Sequence, residues 1–193
     1  MAIFIDGAYL NKVLQRHHGG TPVDYEKLAR HLAANSDILR TYYYDAPPWQ
    51  SNPPTADESR RFAARQSFFA SLRKLPKFEV REGRCARIWD TYRNDWKYQQ
   101  KRVDVLFSVD LVRLASKSRI DQAVLVAGDS DFLPAVAVAK DEGVSITLIH
   151  SPNLKEVHRE LWDAADDRAP LDTVTVSAVA RATVVPLPTA RTT

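Results

Sequence analysis

The sequence predicts an α/β fold with a mainly parallel central sheet covered by helices on both faces. Apolar runs at residues 2–5 and 122–127, and a further segment at 144–149, read as strands buried on both faces. The segments between them carry apolar residues at helical spacing, and strand–helix alternation builds parallel sheets. At 193 residues, 45% apolar and 26% charged, the chain suits one well-buried domain and is short for two.

Residues 2–5 stop at Asp6-Gly7, a strand ending in a turn. Leu10, Val13 and Leu14 mark a helix over residues 8–17, ended by His18-Gly19-Gly20. Asp24 caps a second helix, which faces inward with Leu28, Ala29 and Leu32. Residues 38–44 alternate and are rich in β-formers, predicting a second strand. Four prolines in PPWQSNPPT make residues 46–55 a loop. Phe62, Phe69 and Leu72, with basic residues between them, predict a helix over 57–74. Residues 78–89, broken by Gly83, read as a two-stranded hairpin. A helix over 101–117 follows, with Val105, Leu106, Val109, Val112 and Leu114 as its apolar face.

The strand at 122–127 leads into Gly128-Asp129-Ser130-Asp131 and a helix to Asp141, which Gly143 ends. After the strand at 144–149, residues 153–161 read as helical. The expected domain spans residues 1–165. Residues 166–193 form a C-terminal extension, read as an edge strand near 174–176 followed by a flexible tail.

Several function classes are disfavoured. No apolar run approaches the roughly 18 residues of a membrane span. The N-terminal MAIFIDGAYL has no basic segment and reaches Asp6 early, so no signal peptide is expected and a cytoplasmic location is. The single cysteine, Cys85, excludes an internal disulfide framework and a Cys-rich zinc site, and it has no His arrangement of a nucleophile. His17, His18, His31, His150 and His158 lack zinc-ligand spacing, and His150, after a strand, reads as a surface imidazole. Neither GxGxxG nor GxxxxGK[ST] is present.

The net charge of +3 hides an uneven distribution. Residues 47–102 hold 13 Lys and Arg against 6 Asp and Glu, leaving 14 against 18 elsewhere. A basic middle in an acidic frame suits a polyanion approaching a carboxylate-rich centre, although charge runs also coat solvated helices and hairpins.

In open α/β sheets, ligands collect beyond the carboxyl ends of strands where strand order reverses. Asp6 follows the first strand, and Asp129 and Asp131 follow the strand at 122–127, so parallel strands put all three on one edge. The helix at 101–117 must descend from that edge, and its first turn holds Asp104. Asp110, six residues on, lies about 9 Å lower and turned by about 120°. Each aspartate also has a local explanation: a turn at Asp6-Gly7, a favourable dipole at Asp104, a helix cap at Asp129 or Asp131. Two carboxylates about 4 Å apart repel by about 4 kcal/mol at an effective dielectric of 20. A hard cation such as Mg²⁺ or Mn²⁺ relieves that repulsion and lowers the pKa of its bound water.

IFIDGAYL at 3–10, QKRVDVLFSVDLVRLA at 100–115 and AVLVAGDSDFLPAVAVAKDEGVSITLI at 123–149 together resemble the NYN domain. The resemblance is to the LabA-like (DUF88) branch of the PIN-like superfamily and runs from residue 2 to about residue 160. It implies a PIN-like three-layer α/β/α sandwich and a Mg²⁺- or Mn²⁺-dependent ribonuclease site. The family's acidic positions fall on Asp6, Asp104, Asp129 and Asp131, with a fifth, Asp110, in a supporting role. The pattern departs at Ala8-Tyr9, where many NYN domains carry Asn.

The expected partner is RNA, single-stranded, with a homodimer left open because PIN-like domains often pair. Lys101, Arg102, Arg61 and Arg65 are the expected substrate-binding residues, with Arg60, Arg73 and Lys74 as further phosphate contacts. Trp89, Tyr92 and Trp96 are offered to unpaired bases, and Phe68, Phe69 and Phe78 to the core. The alternative is an RNA-binding or regulatory module with this fold and little nuclease activity. A phosphatase with a DxD site is disfavoured, because the first strand ends in Asp6-Gly7-Ala8.

Overall fold

The continuous apolar runs become the middle of a six-stranded sheet, as their lack of alternation requires. The structure, a computed structural model, describes residues 1–182. The strands are β1 (Ala2–Asp6), β2 (Arg40–Asp45), β3 (Phe78–Glu82), β4 (Arg84–Asp90), β5 (Asp95–Lys101), β6 (Gln122–Val126), β7 (Ser145–His150) and β8 (Asp167–Pro170). The main sheet has the order β3-β2-β1-β6-β7-β8, and every neighbouring pair is parallel. Strands β4 and β5 form a separate antiparallel ribbon.

Seven helices among the described residues cover the sheet. They are α1 (Gly7–His17), α2 (Tyr25–Ala33), α3 (Ala56–Arg73), α4 (Val103–Ser116), α5 (Leu133–Asp141), α6 (Arg159–Ala164) and α7 (Thr173–Val179). Alternate residues of β1 enter opposite layers. Ile3 and Ile5 pack with Leu10, Leu28, Phe69 and Val176 of α1, α2, α3 and α7. Ala2 and Phe4 pack with Phe107, Val136 and Leu161 of α4, α5 and α6. The result is the expected three-layer α/β/α sandwich. No described helix is long and apolar enough to cross a membrane.

The topology also fixes where a site can form. The chain runs outward from β1 through β2 to β3 on one side, and from β6 through β7 to β8 on the other. Strand order therefore reverses between β1 and β6, and open α/β sheets collect ligands beyond the carboxyl ends of the strands at such a reversal.

Four expectations need correction. The break at Gly83 is not a hairpin turn. Residues 78–82 join the main sheet beside β2, and the hairpin runs from Arg84 to Lys101 with its turn at residues 91–94. The fourth helix starts at Val103, because Lys101 ends β5 and Arg102 adopts a left-handed conformation with φ 74°. Its buried face is Val103, Phe107, Leu111, Leu114 and Ala115, while Val105 and Val109 face water at 64% and 55% exposure. Phe107 decides this face. Its ring lies 4.9 Å from Tyr44 and 4.1 Å from Phe132, and a phenyl ring buries more apolar surface than a valine.

At the C-terminal end, residues 174–176 lie in helix α7 rather than an edge strand. The Asp172 side chain caps that helix by accepting from the Thr175 amide, and Val176 and Val179 bury one face of it. The edge strand is β8 instead. Residues 153–161 divide into a single 3₁₀ turn and the start of α6. The flexible tail expected after α7 falls mainly on residues 183–193, outside the described residues.

Candidate active site at the carboxyl edge of the sheet

Asp6 closes β1 and caps α1. Its Oδ1 accepts hydrogen bonds from the amides of Ala8 and Tyr9 at 2.9 and 3.0 Å. Gly7 is required beneath it, because a Cβ there would stand 2.4 Å from the Tyr43 hydroxyl. Asp129 follows β6, and its Oδ1 accepts from the Asp131 amide at 3.2 Å, capping a 3₁₀ turn over Ser130–Phe132. Asp104 occupies the first turn of α4, half-buried. Asp104, Ser130 and Asp131 line one groove of about 710 Å³ between α4 and α5.

These acids sense one another. Burial pushes the Asp6 carboxyl up to about 6, and the charges of Asp104 and Asp45 push the same way against the two amide hydrogen bonds. Asp104 is raised by burial and then by the charges of Asp129 and Asp131. None of Asp6, Asp104, Asp129 and Asp131 forms an ion pair among the described residues.

Among the described residues, no three Asp, Glu, His or Cys side chains already stand together as a set that could hold a metal ion. One oxygen each of Asp6 and Asp129 is committed to backbone amides. The donor chemistry still fits a hard cation, since every donor is a carboxylate oxygen and no cationic side chain competes for it. Mg²⁺ keeps several waters and takes one or two protein carboxylates. The four acids therefore fit a largely hydrated cation rather than an all-protein cage.

Asp110 has a different task. It is buried, and its Oδ2 accepts from Arg81 Nε at 2.8 Å and from the Tyr44 hydroxyl at 3.2 Å. Its Oδ1 accepts from Arg113 at 2.7 Å. The carboxylate thus ties α4 to β2 and β3 within the structure and does not face the edge.

The predicted basic residues divide. Arg61 pairs with Asp57 at 2.9 Å, and Arg65 reaches Asp45 at 3.3 Å. Both line a cavity of about 550 Å³ at the carboxyl end of β2. Lys101 and Arg102 form no ion pair among the described residues, and the chain carries them directly into α4 and Asp104. Arg60 pairs with Asp57 and Arg73 with Glu82. Phe69 and Phe78 are buried, and Phe68 is half-buried, as expected of core rings.

Two residues of the edge escaped the sequence reading. Asp45 ends β2 and is 1% exposed, with Oδ1 accepting from the Ala46 amide and from Gln100 Nε2, each at 2.7 Å. An acid directly after a predicted strand was the available signal, the same one that singled out Asp6. Tyr9 was read only as a departure from a pattern. Its hydroxyl accepts from the Ser151 amide at 2.8 Å, and its ring lies where a Cβ on Gly128 would approach Cε2 to 2.2 Å. Tyr9 thereby braces the Gly128-Asp129 turn against β7. His150 was misread: it is buried, with Nδ1 2.7 Å from the Ser151 carbonyl and the ring edge-on to Trp162 at 4.5 Å.

Comparison with known proteins adds three findings. The family model described as "NYN domain" matches residues 1–172. The chain is 41% identical over 51 residues to "Uncharacterized protein y4oD" of Sinorhizobium fredii, a match spanning 26% of this chain and 24% of that relative. A crystal structure of a protein of unknown function from Vibrio parahaemolyticus superposes with a TM-score of 0.62 at 20% identity, covering 89% of this chain and 92% of that one. That last likeness concerns the fold alone.

Proposed function

Because the chain belongs to the NYN domain family, a group with the PIN-like nuclease fold, we propose that it is a metal-dependent ribonuclease. It hydrolyses RNA phosphodiester bonds at the edge formed by Asp6, Asp104, Asp129 and Asp131. One observation supports the reading: four carboxylates from three segments lie at the strand-order reversal, Asp6 and Asp104 are raised by their acidic neighbours, and none of the four has a cationic partner among the described residues.

Asp6, Asp104 and Asp129 would hold Mg²⁺ or Mn²⁺ directly or through water, and Asp131 would help to hold it or orient the attacking water. When bound, the cation supplies a water of lowered pKa and stabilises charge developing on the phosphate oxygens. The chain's own groups do the rest. The α1 amides fix the Asp6 carboxylate, the Asp131 amide fixes Asp129, and Tyr9 fixes the turn that bears Asp129. Lys101 and Arg102, next to Asp104, meet the scissile or adjacent phosphate, and Arg61 and Arg65 meet the strand beyond it.

A second reading has its own support. Since no three acids stand as a ready ligand set, a domain that binds RNA and cuts it little is the alternative. One assay separates the two. Purified protein is incubated with single-stranded RNA, single-stranded DNA and a phosphomonoester, with Mn²⁺ or with EDTA, and the series is repeated with Asp129→Asn. The ribonuclease reading expects RNA cleavage with Mn²⁺, none with EDTA and at least a hundredfold loss in the variant, the scale of removing a main electrostatic group. Cleavage that survives both EDTA and the substitution removes the assignment.

A further inference from the structure

Large rings left in water need a reason, and the β4–β5 ribbon has four: Trp89, Tyr92, Trp96 and Tyr98. Side chains alternate across a strand, so Cys85, Arg87 and Trp89 share one face with their cross-strand partners Gln100, Tyr98 and Trp96. Successive pairs on that face stand about 6.6 Å apart, at roughly 3.3 Å per residue. Trp89 and Trp96 meet edge to face with centroids 5.1 Å apart. Trp49, from the loop after β2, lies 5.8 Å from Tyr98. The Arg87 guanidinium sits over both indoles, 4.2 Å from Trp96 and 5.1 Å from Trp49. Trp89 and Trp96 remain 43% exposed and Tyr98 59%.

The foot of this ladder is fixed to the candidate site. Its last pair, Cys85 and Gln100, lines the cavity that also holds Arg61, Arg65 and Asp45. Gln100 donates to Asp45, and the Gly83 amide donates to the Asp45 carbonyl at 2.9 Å. A Cβ on Gly83 would come within 2.6 Å of the Lys101 carbonyl, so the two strands close together there. β5 then passes through Arg102 into α4 and Asp104.

We infer that this ribbon face is a stacking track for the unpaired bases of a single RNA strand, leading its backbone through the cavity beside Asp45 to the carboxylate edge. The inference rests on the proposed function in taking RNA as the partner. Charge selects that occupant: the track face carries Arg87 and no acid, Arg61 and Arg65 line the cavity at its foot, and Arg84, Lys97 and Lys101 stand on the ribbon's other face. A polyanion complements that surplus, whereas a second copy seated about a twofold axis would set like charges against each other. Exposed rings stack on bases whose faces are free, so the track favours a single strand over a duplex. Tyr92, at the ribbon tip, has no ring neighbour among the described residues and is not part of the ladder.

The test measures binding apart from cleavage. Fluorescence anisotropy of a labelled oligouridylate is followed with the full chain in EDTA, for wild type, Trp89→Ala/Trp96→Ala and, on the opposite face of β5, Gln99→Ala. Base–aromatic stacking predicts that each lost ring weakens binding by about fivefold or more, that Gln99→Ala changes nothing, and that a duplex of the same length binds more weakly. Should the double variant fail to fold by circular dichroism, Tyr98→Ala is read in its place. Unchanged affinity in the folded ring variants overturns the track, as does a wild-type protein that binds no single strand. A variant that keeps RNA affinity but changes oligomeric state in sedimentation assigns the face to a second copy and also overturns it. If wild type binds through these rings yet cuts no RNA with Mn²⁺, the track stands and the ribonuclease reading falls.

Discussion

Replacing Asp110 separates a structural aspartate from the edge acids. Its carboxylate is 7% exposed and receives Arg81 at 2.8 Å, Arg113 at 2.7 Å and the buried Tyr44 hydroxyl at 3.2 Å. Asp110→Ala takes a carboxylate from two guanidinium groups, leaving Arg81 only Glu79 at 3.7 Å, and leaves a buried phenol without its acceptor. Breaking a fully buried pair costs about 3–5 kcal/mol. Arg81 and Arg113 keep 31% and 47% of their side-chain surface in water, which screens part of that cost. The expected loss is therefore about 2–4 kcal/mol, between those buried and exposed limits. For a chain of this size that is a fall in Tm of ~6–12 °C. Thermal unfolding by circular dichroism at neutral pH reads it directly, and RNA cleavage per folded molecule should stay within about twofold, since surface-independent sites act additively. A double variant, Asp110→Leu/Arg81→Met, should recover part of the loss, because a hydrophobic pair of similar volume replaces the ionic one. A Tm within about 2 °C of wild type would show that the network contributes little. Lost cleavage with an unchanged Tm would move Asp110 into the reaction and refute the argument.

The edge acids should respond to metal rather than to temperature alone. Mn²⁺ at a hundredfold excess over its Kd is expected to add about 2.7 kcal/mol to wild-type stability, a gain that Asp104→Asn abolishes in the same thermal melts. Gly128→Ala drives a Cβ to 2.2 Å from the Tyr9 ring and 2.9 Å from the Glu156 carbonyl, so a loss of about 1–3 kcal/mol is expected by denaturant titration. His150 predicts a pH dependence. Burial, and then the charge of Arg168, hold its folded-state pKa below 6.5 despite the bond to the Ser151 carbonyl. The unfolded chain binds that proton more readily, so this contribution is full above about pH 6.5 and is lost as pH falls through the folded pKa. Asp6, raised to about 6, acts in the opposite sense, so the measurement is the difference in Tm between wild type and His150→Gln across pH 5 to 7.5. A difference that does not change with pH would place the titration elsewhere.

The interior of the sheet was legible because burial on both faces leaves an unmistakable composition. Residues 2–5 and 123–127 have no reason to be uniformly apolar unless helices cover both sides. That same inference put Asp6, Asp104, Asp129 and Asp131 on one edge, because strand direction follows from strand–helix alternation. The margins were not legible. β8 reads Asp167-Arg168-Ala169-Pro170, an edge strand whose charges and proline carry no β signal. α7 reads TVTVSAV, β-branched by composition, yet Asp172 caps it and only the i, i+3 pair Val176 and Val179 is buried. β5 was hidden in a polar run because its partner is β4 in a two-stranded ribbon, with no core to impose apolar alternation. Phe107 was passed over for valines because spacing alone does not weigh the size of a ring.

The distribution of ion pairs argues for where the chemistry lies. The fold neutralises its other confined acids with some care: Arg65 stands beside Asp45, Arg81 and Arg113 beside Asp110, Arg16 and His17 beside Glu156. At the strand-order reversal between β1 and β6 that care stops, and Asp6 and Asp104 are left repelling their neighbours. A domain that only held RNA would gain by replacing these acids with amides, since each negative charge at the end of a basic path repels the phosphate arriving along it. Keeping them uncompensated makes physical sense when a cation is to sit between carboxylate and phosphate. The positive groups nearest in sequence, Lys101 and Arg102, are then free for the substrate, because they are not spent on Asp104.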